Sequence, residues 1–332
     1  MIISRTPLRM SFSGGGSDLK AFYQTGYGAV VSTTINKYVY VIVNKKFDDY
    51  IRVSYSQTEL VYDIEKIQHN IIREALKLVG GINKGIDIVY MADVQPYDWG
   101  TGLGSSSSIA VGVLNALYAY KGVQVSPEML AEQACKIEIE LLDQPIGKQD
   151  QYAAAFGGLN YFRFNADDNV IAEPIHLDDK SRRYLNQNLL LFNTNMNSDS
   201  KAVLSEQKAN TLTKEETRNK LIRMVGYAEQ LRSELKQNNL DNIGNTLHQG
   251  WLAKRELASK ISNDAINDYY ERAIKAGAIG GKLLGSGGGG FLLFYCKPEN
   301  HENVRKALAD LKELQVELSS HGSEIIYNSR HF

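Results

Sequence analysis

Between residues 100 and 108 the chain reads Gly-Thr-Gly-Leu-Gly-Ser-Ser-Ser-Ser, just before a run of helical apolar period. Glycine lets backbone approach a ligand closely, a helix amino terminus offers unpaired N–H groups, and serine hydroxyls bond phosphate oxygens or a hard cation. This is phosphate-binding chemistry. The competing reading, a flexible linker or a redundant N-cap, is weakened by the strand, loop and helix around it, because four serines are poor helix formers by themselves. A second tract, Gly285-Ser286-Gly287-Gly288-Gly289-Gly290, satisfies G-x-G-x-x-G but leads into Phe291-Leu292-Leu293-Phe294-Tyr295, a strand. A dinucleotide loop must open a helix, so that assignment is rejected, and the chain has no GxxxxGK[ST] sequence for a P-loop. A third cluster, Gly14-Gly15-Gly16, precedes Ser17-Asp18, where the plain reading is a turn with Asp18 capping a helix over 18–23.

The elements that must position these loops follow from periodicity. Apolar alternation over 2–12 and β-branched runs at 29–35 and 38–43 predict antiparallel strands. A helix over 64–79 ends at Gly80-Gly81, a strand covers 85–91, and the polar loop 93–104 delivers a helix over 105–120. Ser126-Pro127 starts another helix, striped by Leu130, Ala134, Ile137 and Leu141, that stops before Pro145. Residues 201–259 read as charged helical hairpins. Beyond Asp264 come a helix, a strand over 278–284, the glycine loop, a strand over 291–296, a helix over 302–314 and a strand at 324–327, an α+β unit.

Bulk properties narrow the function. A chain of 332 residues suits two domains. The net charge of -1 supplies no global field for nucleic acid or an anionic membrane, so neither partner is expected. The amino terminus lacks a signal-peptide core and no window approaches the roughly 18 apolar residues of a membrane span, so a cytoplasmic protein is expected. Cys135 and Cys296 suit buried, reduced thiols, and the six histidines show no paired ligand spacing.

The three clusters, in this order, resemble the three motifs of the galactokinase, homoserine kinase, mevalonate kinase and phosphomevalonate kinase (GHMP) superfamily: PxR with a glycine and acid stretch at Pro7-Leu8-Arg9, PxxxxxGLGSS from Pro96 to Ser106, and KLLGSGGGGF near the carboxyl end. The resemblance spans nearly the whole chain. It implies an α+β fold of two domains, a ribosomal protein S5 domain 2-like amino-terminal lobe (1–180, binding ATP) and a ferredoxin-like carboxyl-terminal lobe (181–332). It further implies ATP and Mg2+ as cofactors and phosphotransfer to an alcohol. Gly102, Leu103, Gly104, Ser105, Ser106, Ser107 and Ser108 would cradle ATP, with Ser106 and Glu138 as metal ligands. Helical geometry leaves Glu138 and Glu140 both open, and Glu138 is preferred because it stands twelve residues before Asp150, as the metal glutamate does before the catalytic aspartate in the galactokinase branch. Asp150 in GKQDQ would take the proton of the sugar hydroxyl, its plain alternative being a cap for a helix over 151–156. Arg9 would support it. Gly15, Gly16, Asp18, Gly287 and Gly288 would bind substrate.

Where many relatives carry Gly-Glu-His, this chain has Gly14-Gly15-Gly16-Ser17-Asp18, leaving room for a larger substrate. With 5–9 and GKQDQ, this is similar to the D-glycero-D-manno-heptose 7-phosphate kinase branch, which phosphorylates an anomeric hydroxyl for nucleotide-activated heptose and surface polysaccharide. The resemblance implies a sugar phosphate and ATP as small-molecule partners and admits a homodimer. Lys148, Arg163 and Lys201 are candidates for a distal phosphate. Fucose kinases share much of the pattern, so an anomeric kinase for L-fucose or another free sugar is the first alternative, and a non-catalytic sugar and ATP sensor the second.

Overall fold

The computed structural model describes residues 1–94 and 101–329; Pro96 and Gly100 of the first glycine tract and the last three residues of the expected 181–332 domain lie outside the described residues. The first part of the chain forms strands β1 (Ile2–Ser13), β2 (Tyr27–Lys45), β3 (Ile51–Ser54), β4 (Thr58–Val61), β5 (Ile86–Ala92), β6 (Leu159–Asn165) and β7 (Val170–Pro174). Its helices are α1 (Lys20–Tyr23), α2 (Asn70–Val79), α3 (Ser105–Tyr120), α4 (Pro127–Cys135) and α5 (Gln149–Phe156). The second part adds α6 (Asp179–Gln187), β8 (Leu189–Asn193), α7 (Ser200–Thr213), α8 (Glu215–Lys236), α9 (Ile243–Lys254), α10 (Asp264–Lys275), β9 (Ala278–Leu283), β10 (Phe291–Cys296), α11 (His301–Ala307), β11 (Lys312–Glu313), β12 (Leu318–Ser319) and β13 (Glu324–Asn328).

The two expected strands at 29–35 and 38–43 are one strand, β2. Its pairing with β1 runs Pro7 to Tyr38 and then Arg9 to Thr34, so Ile35, Asn36 and Lys37 bulge opposite Leu8. A bulge bends a strand without ending it. The bend lets one half of β2 pair with β6 and the other with β5, and the large sheet branches there. The expected helix over 64–79 is interrupted because the Glu59 carboxylate accepts the Gln68 and His69 N–H groups, leaving a short 3-10 turn before α2. Gly80 ends α2 at φ 64°. The expected helix over 302–314 is shorter than its pattern: α11 stops at Ala307, and Lys312–Glu313 joins β8.

The smaller sheet has the order β11-β8-β10-β9. The last two strands leave it: β12 pairs with β2, and β13 pairs with β1 along the outer edge of the large sheet. That edge would otherwise expose unpaired backbone groups. The carboxyl-terminal segment therefore crosses the expected 180/181 boundary to pair with β1 and β2. Helix α3 lies on β1 and β2, burying Ile109, Val113 and Leu117 as its spacing requires. Cys135 and Cys296 are free and buried. Among the described residues no helix is long and apolar enough to cross a membrane.

Candidate functional site

The loop after β9 packs directly on the loop before α3. Gly102 has φ 74°, and a Cβ there would meet the Leu284 carbonyl oxygen at 2.6 Å. Only glycine allows that approach. Between these loops, helix α7 and the amino end of α2, lies a cavity of about 570 Å³.

Its first wall is the glycine and serine loop at the start of α3. Gly104 is the N-cap of α3 at φ 76°, and Gly102, Gly104, Ser105, Ser106 and Ser107 line the cavity. Leu103 and Ser108 do not. Leu103 is a core side chain whose carbonyl accepts the Arg9 N–H at 3.0 Å, and the Ser108 hydroxyl donates to the Pro7 carbonyl at 2.8 Å. Both hold the loop against β1 instead of lining the cavity.

Glu138 stands behind the serines. Helix α4 continues through Lys136–Leu141 as a π-helical turn, a widening that often marks functional sites. The Glu138 carboxylate is 1% exposed and accepts Ser106 Oγ at 2.5 Å, Ser107 Oγ at 2.7 Å and Gln151 Nε2 at 2.7 Å. Burial pushes its carboxyl up from the ordinary range, and those three donors partly offset this. Glu140 is exposed and does not line the cavity, which separates the two glutamates that the sequence left open.

Asp150 sits in the first turn of α5, whose N-cap is Lys148, so the capping alternative for Asp150 falls. Arg9, 3% exposed on β1, donates through Nε to Asp150 Oδ1 at 2.7 Å, through Nη2 to Oδ2, and through Nη1 to the Gly102 carbonyl at 2.5 Å. One guanidinium thus ties the glycine loop to the carboxylate.

Asp18 does not cap α1, which starts at Lys20 after Leu19. Its carboxylate is buried and accepts the Gly16 N–H at 2.8 Å, Gln149 Nε2 at 3.0 Å and the Gln149 N–H at 3.2 Å. Burial raises its pKa first of all; the Gly16 and Gln149 bonds oppose that, and the Asp150 charge adds to it. A Cβ on Gly147 would fall 1.9 Å from Asp18 Oδ2, so glycine is required for α5 to reach Asp18. Gly15 and Gly16 line this end. Gly287 and Gly288 do not: they pack on Ile261, Lys260 and Ser198, while Gly285 and Ser286 of the same loop face the cavity.

Of the three expected distal cations, only Lys201 lines the cavity. Lys148 turns away to Asp168, and Arg163 stacks over Tyr27. The lining residues that sequence reasoning missed include Ser11, Gln149, Gln207, Lys254 and Lys282. Ser11 Oγ, Gln149 Oε1 and Gln207 Nε2 are buried atoms without a hydrogen-bond partner, a costly state unless a ligand completes them. For Ser11 the alternation of β1 beyond Arg9 was a usable signal; for Gln207 and the lysines, far along the chain, there was none.

Two family models match the chain, the GHMP kinases N terminal domain over residues 66–158 and the GHMP kinases C terminal over residues 231–313. The chain is 28% identical over 325 residues to D-glycero-alpha-D-manno-heptose 7-phosphate kinase of Campylobacter jejuni subsp. jejuni, covering 92% of this chain and 93% of that one. It is 23% identical to the L-fucokinase/L-fucose-1-P guanylyltransferase of Bacteroides fragilis, over 93% of this chain and only 36% of that longer protein. The structure of a D-glycero-D-manno-heptose 1-phosphate kinase from Bacteroides thetaiotaomicron superposes with a TM-score of 0.80 at 23% identity, covering 99% of this chain and 100% of that one. That likeness identifies the mixed two-domain fold.

Proposed function

We infer that this chain, which belongs to the GHMP kinases and is a sugar kinase using ATP as phosphate donor, transfers the γ-phosphate to the anomeric (C1) hydroxyl of D-glycero-D-manno-heptose 7-phosphate. The product would feed nucleotide-activated heptose and surface polysaccharide synthesis. The 28% relative over nearly all of both chains supports the substrate. The single observation that carries the mechanism is the Arg9–Asp150 pair, facing a cavity whose other wall is the Gly102–Ser107 loop.

In this reading the loop backbone and the Ser105 to Ser107 hydroxyls hold the ATP phosphates at the start of α3. Asp150 accepts the proton of the C1 hydroxyl as its oxygen bonds the γ-phosphorus and the bond to ADP breaks. Arg9 orients that carboxylate. Asp18, together with Ser11, Gln149 and Gln207, whose free polar atoms surround Gly15 and Gly16, binds sugar hydroxyls.

Magnesium fits the donor set. Glu138 is a buried carboxylate held by neutral donors alone, with the Ser106 hydroxyl on it, and Mg2+ takes one or two carboxylates plus phosphate and water. Ser106 and Glu138 would hold it. When bound, the ion neutralises charge on the nucleotide phosphates.

A second reading, an anomeric kinase for a free sugar such as L-fucose, draws on the Bacteroides fragilis likeness. ADP release with magnesium-ATP, measured on D-glycero-D-manno-heptose 7-phosphate, the unphosphorylated heptose, L-fucose and D-galactose, separates the two. Turnover confined to the heptose phosphate is the expected result. Turnover on a free sugar alone removes the heptose phosphate reading and keeps the kinase.

A further inference from the structure

Two buried lysines stand on the cavity wall. Lys254, at the end of α9, is 6% exposed, and Lys282, in β9, is 4% exposed. Lys254 Nζ donates to the Gly285 carbonyl and reaches that of Leu283 at 3.5 Å, while Lys282 Nζ reaches the Phe12 carbonyl at 3.4 Å. Neither forms an ion pair among the described residues, in contrast to Lys220, which bridges Glu216 and Glu256. A buried ammonium satisfied only by neutral carbonyls is expensive, and hydrophobic residues of similar volume would stabilise the fold as well or better.

The charges around them are unbalanced. Arg9 and Asp150 are engaged with each other, and Glu138 is held by Ser106, Ser107 and Gln151, which leaves Lys254, Lys282 and the Asp18 carboxylate at this end of the cleft. The Lys254 anchor is also close to the phosphate-type loop, since a Cβ on Gly285 would lie 2.4 Å from Gly102 Cα. A cationic surplus buried beside a phosphate loop and a sugar pocket is suited to an incoming anion.

We propose that Lys254 and Lys282 together form a phosphoryl-anion site on the second-part wall of the cleft, filled either by the group in transfer or by the phosphate the sugar already carries. The second source rests on the heptose phosphate reading; the first rests only on the chain being a sugar kinase. The interaction balances as simple ion pairing, with no bond formed by either lysine.

Lys254→Met and Lys282→Met replace each ammonium by an apolar chain of similar reach, so both proteins should fold. The first measurement is the rise in Tm that inorganic phosphate produces in enzyme saturated with magnesium-ADP, where the nucleotide loop is filled and the transfer position is free. The wild type should be stabilised, and each variant should lose most of that response. Steady-state kinetics then separate the sources. A fall in kcat of about 10²- to 10³-fold with both KM values kept assigns the lysines to the group in transfer. A rise of about tenfold in KM for the phosphorylated sugar, with kcat and the ATP KM kept, assigns them to the sugar phosphate. Variants with the wild-type phosphate response and wild-type kinetic constants overturn the proposal. If the substrate proves to be a free sugar, the heptose phosphate reading fails, and the phosphate titration still decides this site.

Discussion

Arg9 and Asp150, 141 positions apart, meet through two parallel N–H···O bonds, with the third arm of the guanidinium on the Gly102 carbonyl. The pair joins β1 to the first turn of α5 on the wall of the cleft. With Arg9 almost wholly buried and Asp150 partly exposed, the carboxylate keeps one side open to a substrate hydroxyl. Planar two-point pairing sets direction as well as attraction.

Asp150→Asn keeps the shape and removes the proton acceptor. We expect kcat to fall by about 10²- to 10⁴-fold while the ATP dissociation constant stays near the wild-type value. Steady-state assays with calorimetric ATP titration test this, and near-normal turnover would remove Asp150 from the mechanism.

Glu138→Gln should raise the magnesium concentration needed for half-maximal rate, because the amide still meets Ser106 and Ser107 but offers a cation no charge. Glu140→Gln, on the exposed side of the same turn, should titrate like wild type. The reverse pattern would move the metal site.

Gln207→Met deletes a buried amide nitrogen that has no partner in the protein. The Tm should hold or rise, and the sugar KM should increase about tenfold with the ATP KM unchanged. A sugar KM equal to that of wild type would show that Gln207 does not touch the substrate.

Burial, followed by the Arg9 charge, lowers Lys254 to about 8, against the opposing pull of Asp18 and Asp150; Lys282 also faces it. The unfolded chain keeps this proton up to the ordinary lysine value of 10.5. Between about 8 and 10.5 the unfolded state binds more protons, so this group makes stability rise with pH, and below 8 its full penalty stands. Lys254→Met should therefore stabilise the protein by up to about 3 kcal/mol at pH 7, with the gain shrinking as pH approaches 10. Paired melts across that range test it; a gain that grows with pH would contradict the assignment.

The glycine loop and α3 were legible because their signals are local: an apolar helical period over 105–120, glycines where φ is positive, and serines at the helix start. The π-helical turn at Lys136–Leu141 and the bulge at 35–37 were not, since both arise where a neighbouring element pulls the backbone from its regular period. The apolar pattern breaks at Asn36–Lys37 and predicts two strands, whereas pairing with β1 on both sides of the bulge makes them one.

By itself the sequence determined β1, β5, β9, β10 and β13, most of the helices, the three glycine loops and the acids beside them, since turn chemistry and apolar period act over a few residues; β3, β4 and β6 to β8 left no such mark. Only the tertiary structure placed Glu138 on the cavity wall and Glu140 outside it, turned Lys148 and Arg163 away from the cavity, and brought Gln207, Lys254 and Lys282 into it. The physical reason is that a side chain's role here depends on burial and on partners more than a hundred positions away, and those are set when α5, α7, α9 and the second sheet pack around β1.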